Sequence, residues 1–352
     1  MNDASHAAAD PAPAGVDVAA VTAWLGDRAP GVEPPVRAQL ITGGHSNLTF
    51  SLTDQGGRRW VLRRPPLHQV LATAHDMARE HRIISALAAT DVPVAPVVGL
   101  SPDDTVNGAP FYVMDFVDGI VVRDAEVGRQ FSPAQLRTAG EGLIDTLARI
   151  HAVDPDEVGL GDLGRREGYL ARQLQRWHGQ FEKSKTRDIP EIDAVHQRLV
   201  ATMPAQVGAT IVHGDYRLDN CLVDPDGHLL AVLDWELCTL GDPLADVGLL
   251  VVYSPDAGDP VAMGTPAATT LEGFPSRVEL LDRYARLSGR DLTGIEYYVA
   301  FGYWKLACIV EGVYARYLGG AMGEHEQSTF AFLGDHVLHT VRRATEVLDQ
   351  GI

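Results

Sequence analysis

An α+β fold in two lobes is what the sequence predicts, a small β-rich lobe first and a larger, mainly helical one after it. Three observations carry that reading. At 352 residues the chain exceeds a usual single domain. Before residue 117, short apolar segments alternate with Gly- and Asp-containing turns. Beyond Asp118-Gly119 the pattern changes to long runs with helical spacing, interrupted only between 209 and 235.

Residues 1–15, rich in Ala, Pro and Asp without periodicity, are expected to form a flexible tail. Val16 to Leu25 has helical spacing and stops before Gly26 and Pro30. Residues 37–41, 47–53 and 59–63 read as strands, parted by Gly43-Gly44 and by the hairpin turn Asp54-Gln55-Gly56-Gly57. The stretch from His75 to Ala89 puts Met77, Ile83, Ile84 and Leu87 on one helical face. Two more strands, Val94 to Leu100 and Phe111 to Phe116, complete an N-lobe over 16–116. The C-lobe over 117–352 holds a long helix at 133–151. Within it the segments TIVHGD and LLAVLDW are expected to pair as a hairpin about Asp224-Pro225-Asp226-Gly227.

Composition narrows the function classes. The formal charge of -18 opposes a phosphate backbone, whose affinity is supplied by Lys and Arg, so nucleic acid is not an expected partner. No apolar run reaches the 18 or so residues that span a bilayer, and the N-terminus lacks the basic and apolar regions of a signal peptide. Cys221, Cys238 and Cys308 are odd in number and lack metal-ligand spacing, which fits a reducing compartment. A cytoplasmic protein without membrane partners is the expectation; the oligomeric state is not legible.

The most informative segment is Ile211-Val212-His213-Gly214-Asp215-Tyr216-Arg217-Leu218-Asp219-Asn220. It places a carboxylate and a carboxamide five residues apart after a strand, and Asp234 ends the strand LLAVLD fourteen residues later. Asp and Asn are common turn residues, and any one of the three alone would be read that way. Together they supply what phosphoryl transfer needs: a base-like Asp for the acceptor hydroxyl, and oxygen ligands for magnesium, a hard cation. Asp215 would orient or deprotonate the acceptor, Asn220 would hold a metal ion, and Asp234 would bridge metal to nucleotide phosphates.

With its H-G-D-x-x-x-x-N loop, Val232-Leu233-Asp234-Trp235-Glu236 and Gly241-Asp242-Pro243-Leu244-Ala245-Asp246, the chain resembles the aminoglycoside phosphotransferase and choline kinase-like family over residues 20–340. The resemblance implies a bilobal protein-kinase-like fold and a small-molecule kinase that uses ATP and Mg2+. It implies a phosphate-covering loop at residues 41–47 with Ser46 and Asn47 as donors. Arg63 takes the place of the strand lysine that holds phosphates, paired with Glu80, and Arg64 is the other candidate. Asp115 and Val117 become the backbone contacts to adenine. His213 becomes a support of the loop, Asp246 supports it or caps the helix that follows, and Glu236 approaches a second magnesium or is structural.

The acceptor site is expected on the C-terminal helices, at Tyr297, Phe301, Trp304, Lys305 and Arg316. Val61-Leu62-Arg63-Arg64-Pro65-Pro66 and Leu233 to Pro243 are similar to kinase domains attached to certain acyl-CoA dehydrogenases, which implies a hydroxyacyl-CoA or hydroxy acid as acceptor. The alternatives are a true aminoglycoside kinase, which the acidic charge favours, and a nucleotide-binding regulator without turnover, which Arg63 favours. A protein kinase is disfavoured, because no Ala-Pro-Glu segment follows Asp234.

Overall fold

The computed structural model describes residues 13–41, 47–67, 76–259, 267–320 and 327–352. The chain divides into two compact units, Met1–Ala89 with Val94–Val117 and Thr90–Pro93 with Asp118–Ile352. The first holds α1 (Val18–Gly26), β1 (Arg37–Leu40), β2 (Leu48–Thr53), β3 (Arg59–Arg64), α2 (Met77–Leu87), β4 (Val97–Ser101) and β5 (Phe111–Asp115). Its strands form one antiparallel sheet in the order β1-β2-β3-β5-β4.

The period of two along β3 explains how this sheet is covered. Trp60 and Leu62 enter a core with Phe50, Leu52, Phe111 and Val113, against Val21, Trp24 and Leu25 of α1. Each such large apolar side chain contributes about 1.5–3 kcal/mol on burial. Arg64 continues that phase and bonds the Gly15 carbonyl at 2.6 Å, whereas Arg63, one residue out of phase, meets Glu80 of α2. α2 opens on Asp76, whose side chain accepts from the Arg79 N–H, and buries Met77, Ile83, Ile84 and Leu87. His75, where the sequence pattern begins that helix, lies outside the described residues.

The second unit holds β6 (Ile120–Val121), α3 (Ala125–Gly128), α4 (Pro133–Ala152), α5 (Tyr169–Ser184), α6 (Pro190–Ala201), β7 (Thr210–Val212), β8 (Cys221–Val223), β9 (Leu229–Val232) and β10 (Thr239–Gly241). It ends with α7 (Pro243–Tyr253), α8 (Arg277–Ser288), α9 (Ile295–Leu318) and α10 (Gln327–Gln350). Helix α9 is the axis of this unit and packs on α5, α6, α7 and α10. A small antiparallel sheet and a larger helical part bear out the α+β expectation. Among the described residues no helix is long and apolar enough to cross a membrane.

One pairing differs from the sequence reading. The partner of β9 across the Asp224–Gly227 turn is β8, and β7 pairs instead with β10. A tight turn joins the strands immediately flanking it. After the single 3-10 turn Leu218–Asn220 the chain extends again for three residues, too short a run to stand out in the sequence.

The α7–α9 contact sets a strict size limit at Gly248, where an added Cβ would lie 2.5 Å from the backbone of Tyr298. Two helix backbones must part to admit it. Gly248→Ala is therefore expected to lower stability by about 1–3 kcal/mol, the usual cost of overpacking, as read by urea denaturation.

Candidate active site

The short strand β7 delivers the chain to His213-Gly214-Asp215, and Gly214 turns it with a left-handed φ of 84°. A side chain there would meet the Leu237 carbonyl, so the turn demands glycine. The 3-10 turn that follows brings Asn220 back onto Asp215. The Asn220 amide nitrogen donates to the Asp215 carbonyl at 2.8 Å and to its carboxylate at 3.0 Å. With the nitrogen so committed, the amide oxygen is the atom of Asn220 with ligand chemistry for a hard cation.

Leu233 fastens this loop to the segment bearing Asp234, just beyond β9. Its N–H donates to the Asn220 carbonyl at 2.8 Å, and its own carbonyl bonds Nε2 of the fully buried His213 at 2.9 Å. Asp234 then departs from the strand with φ and ψ both 62°; among the described residues it alone has a positive φ without being glycine. Such a backbone costs energy in any residue with a Cβ and is retained where surrounding structure imposes it. The amide oxygen of Asn220 and the carboxylates of Asp215 and Asp234 are oxygen donors of the kind that a hard cation such as magnesium takes.

Asp246, on the first turn of α7, holds the loop from beneath. It accepts from the N–H groups of His213 at 2.6 Å and Gly214 at 2.9 Å, and lies 3.4 Å from His151 Nε2. Burial drives its carboxyl pKa upward, but the hydrogen bond and electrostatic pull of His151, the electrostatic pull of His213 and the Gly214 N–H outweigh it, and the group sits below its ordinary range. His151 is fixed in turn by the Tyr284 hydroxyl at 2.7 Å. Arg217 spans Asp215 at 3.4 Å and Asp219 at 3.0 Å and lies over the ring of Tyr253.

In the first unit, Arg63 and Glu80 form an ion pair at 3.1 Å with both side chains largely out of solvent. Asn47 is buried at the start of β2, and Ser46 lies outside the described residues. The Asp115 N–H donates to the Pro96 carbonyl at 2.8 Å, so a nucleotide contact at that residue would fall to its carbonyl. Val117, half-buried, ends this unit.

Of the residues expected to receive the acceptor, four are buried and Arg316 is exposed. Tyr297, Phe301 and Trp304 are buried in the core of the second unit; the Tyr297 hydroxyl donates to Leu199 and the Trp304 indole to Ile192, both carbonyls of α6. The spacing of Tyr297 and Trp304 thus serves packing of α9 on α6, and the Phe301 ring lies 6.3 Å from that of Trp304. Arg316 is exposed, about 16 Å beyond Lys305 along the helix axis at 1.5 Å per residue. Lys305 is buried, and its ammonium donates to the Gly214 carbonyl at 2.7 Å with the Trp177 ring 5.4 Å away. Burial pulls its pKa down, against the opposing pull of Asp215 and Asp246.

Sequence reading missed His151 and Arg217. The histidine carries no local signal, being one polar residue in the last turn of a long helix. Arg217 sits inside the informative motif, two residues from Asp215, where a cation beside a carboxylate was visible.

Residues 37–283 match the sequence model of a family described as the phosphotransferase enzyme family. Acyl-CoA dehydrogenase family member 10 of Mus musculus is 36% identical over 291 residues, which are 81% of this chain and 27% of that protein. The chain thus spans little more than a quarter of that relative's length. A solved structure of a putative aminoglycoside phosphotransferase from Ralstonia eutropha superposes with a TM-score of 0.79 at 32% identity, covering 94% of this chain and 99% of the other. A choline kinase of Cryptosporidium parvum shares the fold, with a TM-score of 0.67 at 13% identity over 95% of this chain and 97% of its own.

Proposed function

The chain belongs to the phosphotransferase enzyme family, and from that premise we propose that it transfers the terminal phosphoryl group of ATP, with magnesium, to a hydroxyl of a small molecule. The observation that carries the proposal is the linked set Asp215, Asn220 and Asp234, in which Asn220 bonds Asp215 and Leu233 ties Asn220 to the segment of Asp234. Magnesium bound by Asn220 and Asp234 would neutralise phosphate charge. Asp215 orients the acceptor hydroxyl and takes its proton as the oxygen attacks the terminal phosphorus and the bond from that phosphorus to the ADP oxygen breaks, releasing ADP. Phosphoryl transfer demands little covalent chemistry from the protein, so the rigidity of this loop is the chain's main contribution.

The acceptor class we propose is a hydroxylated acyl-CoA or the related hydroxy acid, supported by the likeness to a protein named for acyl-CoA dehydrogenation. Coupled ATP turnover with magnesium, measured against hydroxyacyl-CoA esters, choline-like amino alcohols and aminoglycosides, tests it. Turnover confined to the first class names the acceptor. Turnover on aminoglycosides alone replaces that class, and magnesium-dependent ATP binding with no turnover leaves an acceptor outside these classes or a nucleotide-binding regulator.

Arg63 is proposed to steady the nucleotide phosphates in place of a lysine, with Glu80 fixing the guanidinium. Arg63→Met is expected to weaken ATP binding about tenfold, the value of one charge-assisted hydrogen bond, whereas Arg63→Lys keeps most of the affinity. Isothermal titration of the two variants checks this.

A further inference from the structure

We propose that Lys305 is a positioning residue for Asp215, its buried ammonium holding the peptide plane through which the chain enters that carboxylate. The inference rests on the reading of Asp215 as the group that meets the acceptor hydroxyl. A lysine ammonium is costly to bury and is found inside a protein only where partners compensate it. Here the strongest partner is the Gly214 carbonyl, at 2.7 Å.

That carbonyl and the Asp215 N–H belong to one rigid peptide unit. Lys305 grips the oxygen side, and His213 Nδ1 receives the N–H side at 3.3 Å. The preceding peptide is held as well, because the Gly214 N–H donates to Asp246. Gly214 has no side chain to pack and a left-handed backbone, so these bonds from α7, α9 and the loop's own histidine orient the start of Asp215. Charged groups around the ammonium are Asp215 and Asp246, which favour it, and Arg176, which opposes it. A bond between an ammonium and a carbonyl is charge-assisted and directional, which suits it to fixing a plane.

The experiment compares Lys305→Met with the native chain, with Asp215→Ala and with Glu311→Gln. Glu311 is a second buried charge on α9, and its partners, the Thr186 N–H and hydroxyl and the Arg187 guanidinium, lie outside the loop. Two quantities are read: hydrogen exchange of the 213–217 amides, and ATP turnover per nucleotide-binding site counted by titration. Lys305→Met is expected to raise loop exchange and to lower turnover per site, each about tenfold, with ATP affinity changed less than about threefold. Glu311→Gln is expected to lower the melting temperature while leaving both quantities native.

Native exchange and native turnover in Lys305→Met overturn the proposal, as does an equal change in Glu311→Gln, which would make Lys305 an ordinary buried charge. If Lys305→Met does not fold, Lys305→Gln is judged by the same two criteria. Should the native chain and Asp215→Ala show the same turnover, the catalytic reading of Asp215 fails, and loop exchange still decides whether Lys305 holds the plane.

Discussion

Asp215→Ala is expected to lower ATP turnover by about 10²–10⁴-fold, the contribution of a positioned general base, while ATP affinity changes less than about threefold. In the proposed mechanism the carboxylate serves the acceptor, and the proposed nucleotide contacts lie elsewhere, at Arg63, Asn220 and Asp234. A second variant separates chemistry from architecture. Asp215→Asn still offers an oxygen to the Asn220 amide, which donates to the carboxylate at 3.0 Å, so the loop keeps its form while the base is lost. Equal losses in the two variants would place the effect in proton transfer. Near-native turnover in Asp215→Asn would reduce the side chain to a brace for Asn220 and remove the base from the mechanism.

Asp246→Ala should have the largest effect on stability. The substitution strips the acceptor from two buried N–H groups, those of His213 and Gly214, and the partner from His151. Breaking a buried, hydrogen-bonded charge typically costs about 3–5 kcal/mol, which for a unit of this size is on the order of 10 °C in melting temperature. The sign of the pH dependence follows from the carboxyl's depressed pKa in the folded state. Its stabilisation is present in full above the unfolded value of about 4 and is lost as pH falls through the lower folded value. Native and variant chains should differ most near neutrality and converge below about pH 4. Urea denaturation at pH 7 and pH 3 checks both magnitude and direction; a gap that widens in acid would contradict the assigned role of Asp246.

Much of the first unit was legible in the sequence because its signals are local. Turn residues punctuate the strands, β3 alternates with a period of two, and Met77, Ile83, Ile84 and Leu87 mark one face of α2. The motif from His213 to Asn220 was legible for the same reason, being continuous in the chain. What was not legible depends on distant segments meeting. The identity of the β9 partner turned on three residues, Cys221–Val223, too few to show a period. His151 and Asp246 lie 95 residues apart, and Lys305 and Gly214 lie 91 apart. The stripe of Tyr297, Phe301 and Trp304 was visible as a face of a helix, but spacing alone does not tell a face turned to a ligand from one turned to another helix. Lys305 was singled out for its charge and expected at the acceptor site, whereas the fold buries its ammonium against the Gly214 carbonyl.

The backbone of Asp234 sets two kinds of selection against each other. A glycine takes up the left-handed conformation without the Cβ penalty, which is on the order of 1 kcal/mol, and that relief favours Asp234→Gly in any search rewarded by heat resistance alone. The same substitution deletes the carboxylate proposed to bridge magnesium and nucleotide, so a search rewarded by turnover discards it. One library of variants, divided and sorted by the two criteria, should therefore diverge at this codon, with glycine enriched in the first population and aspartate retained in the second.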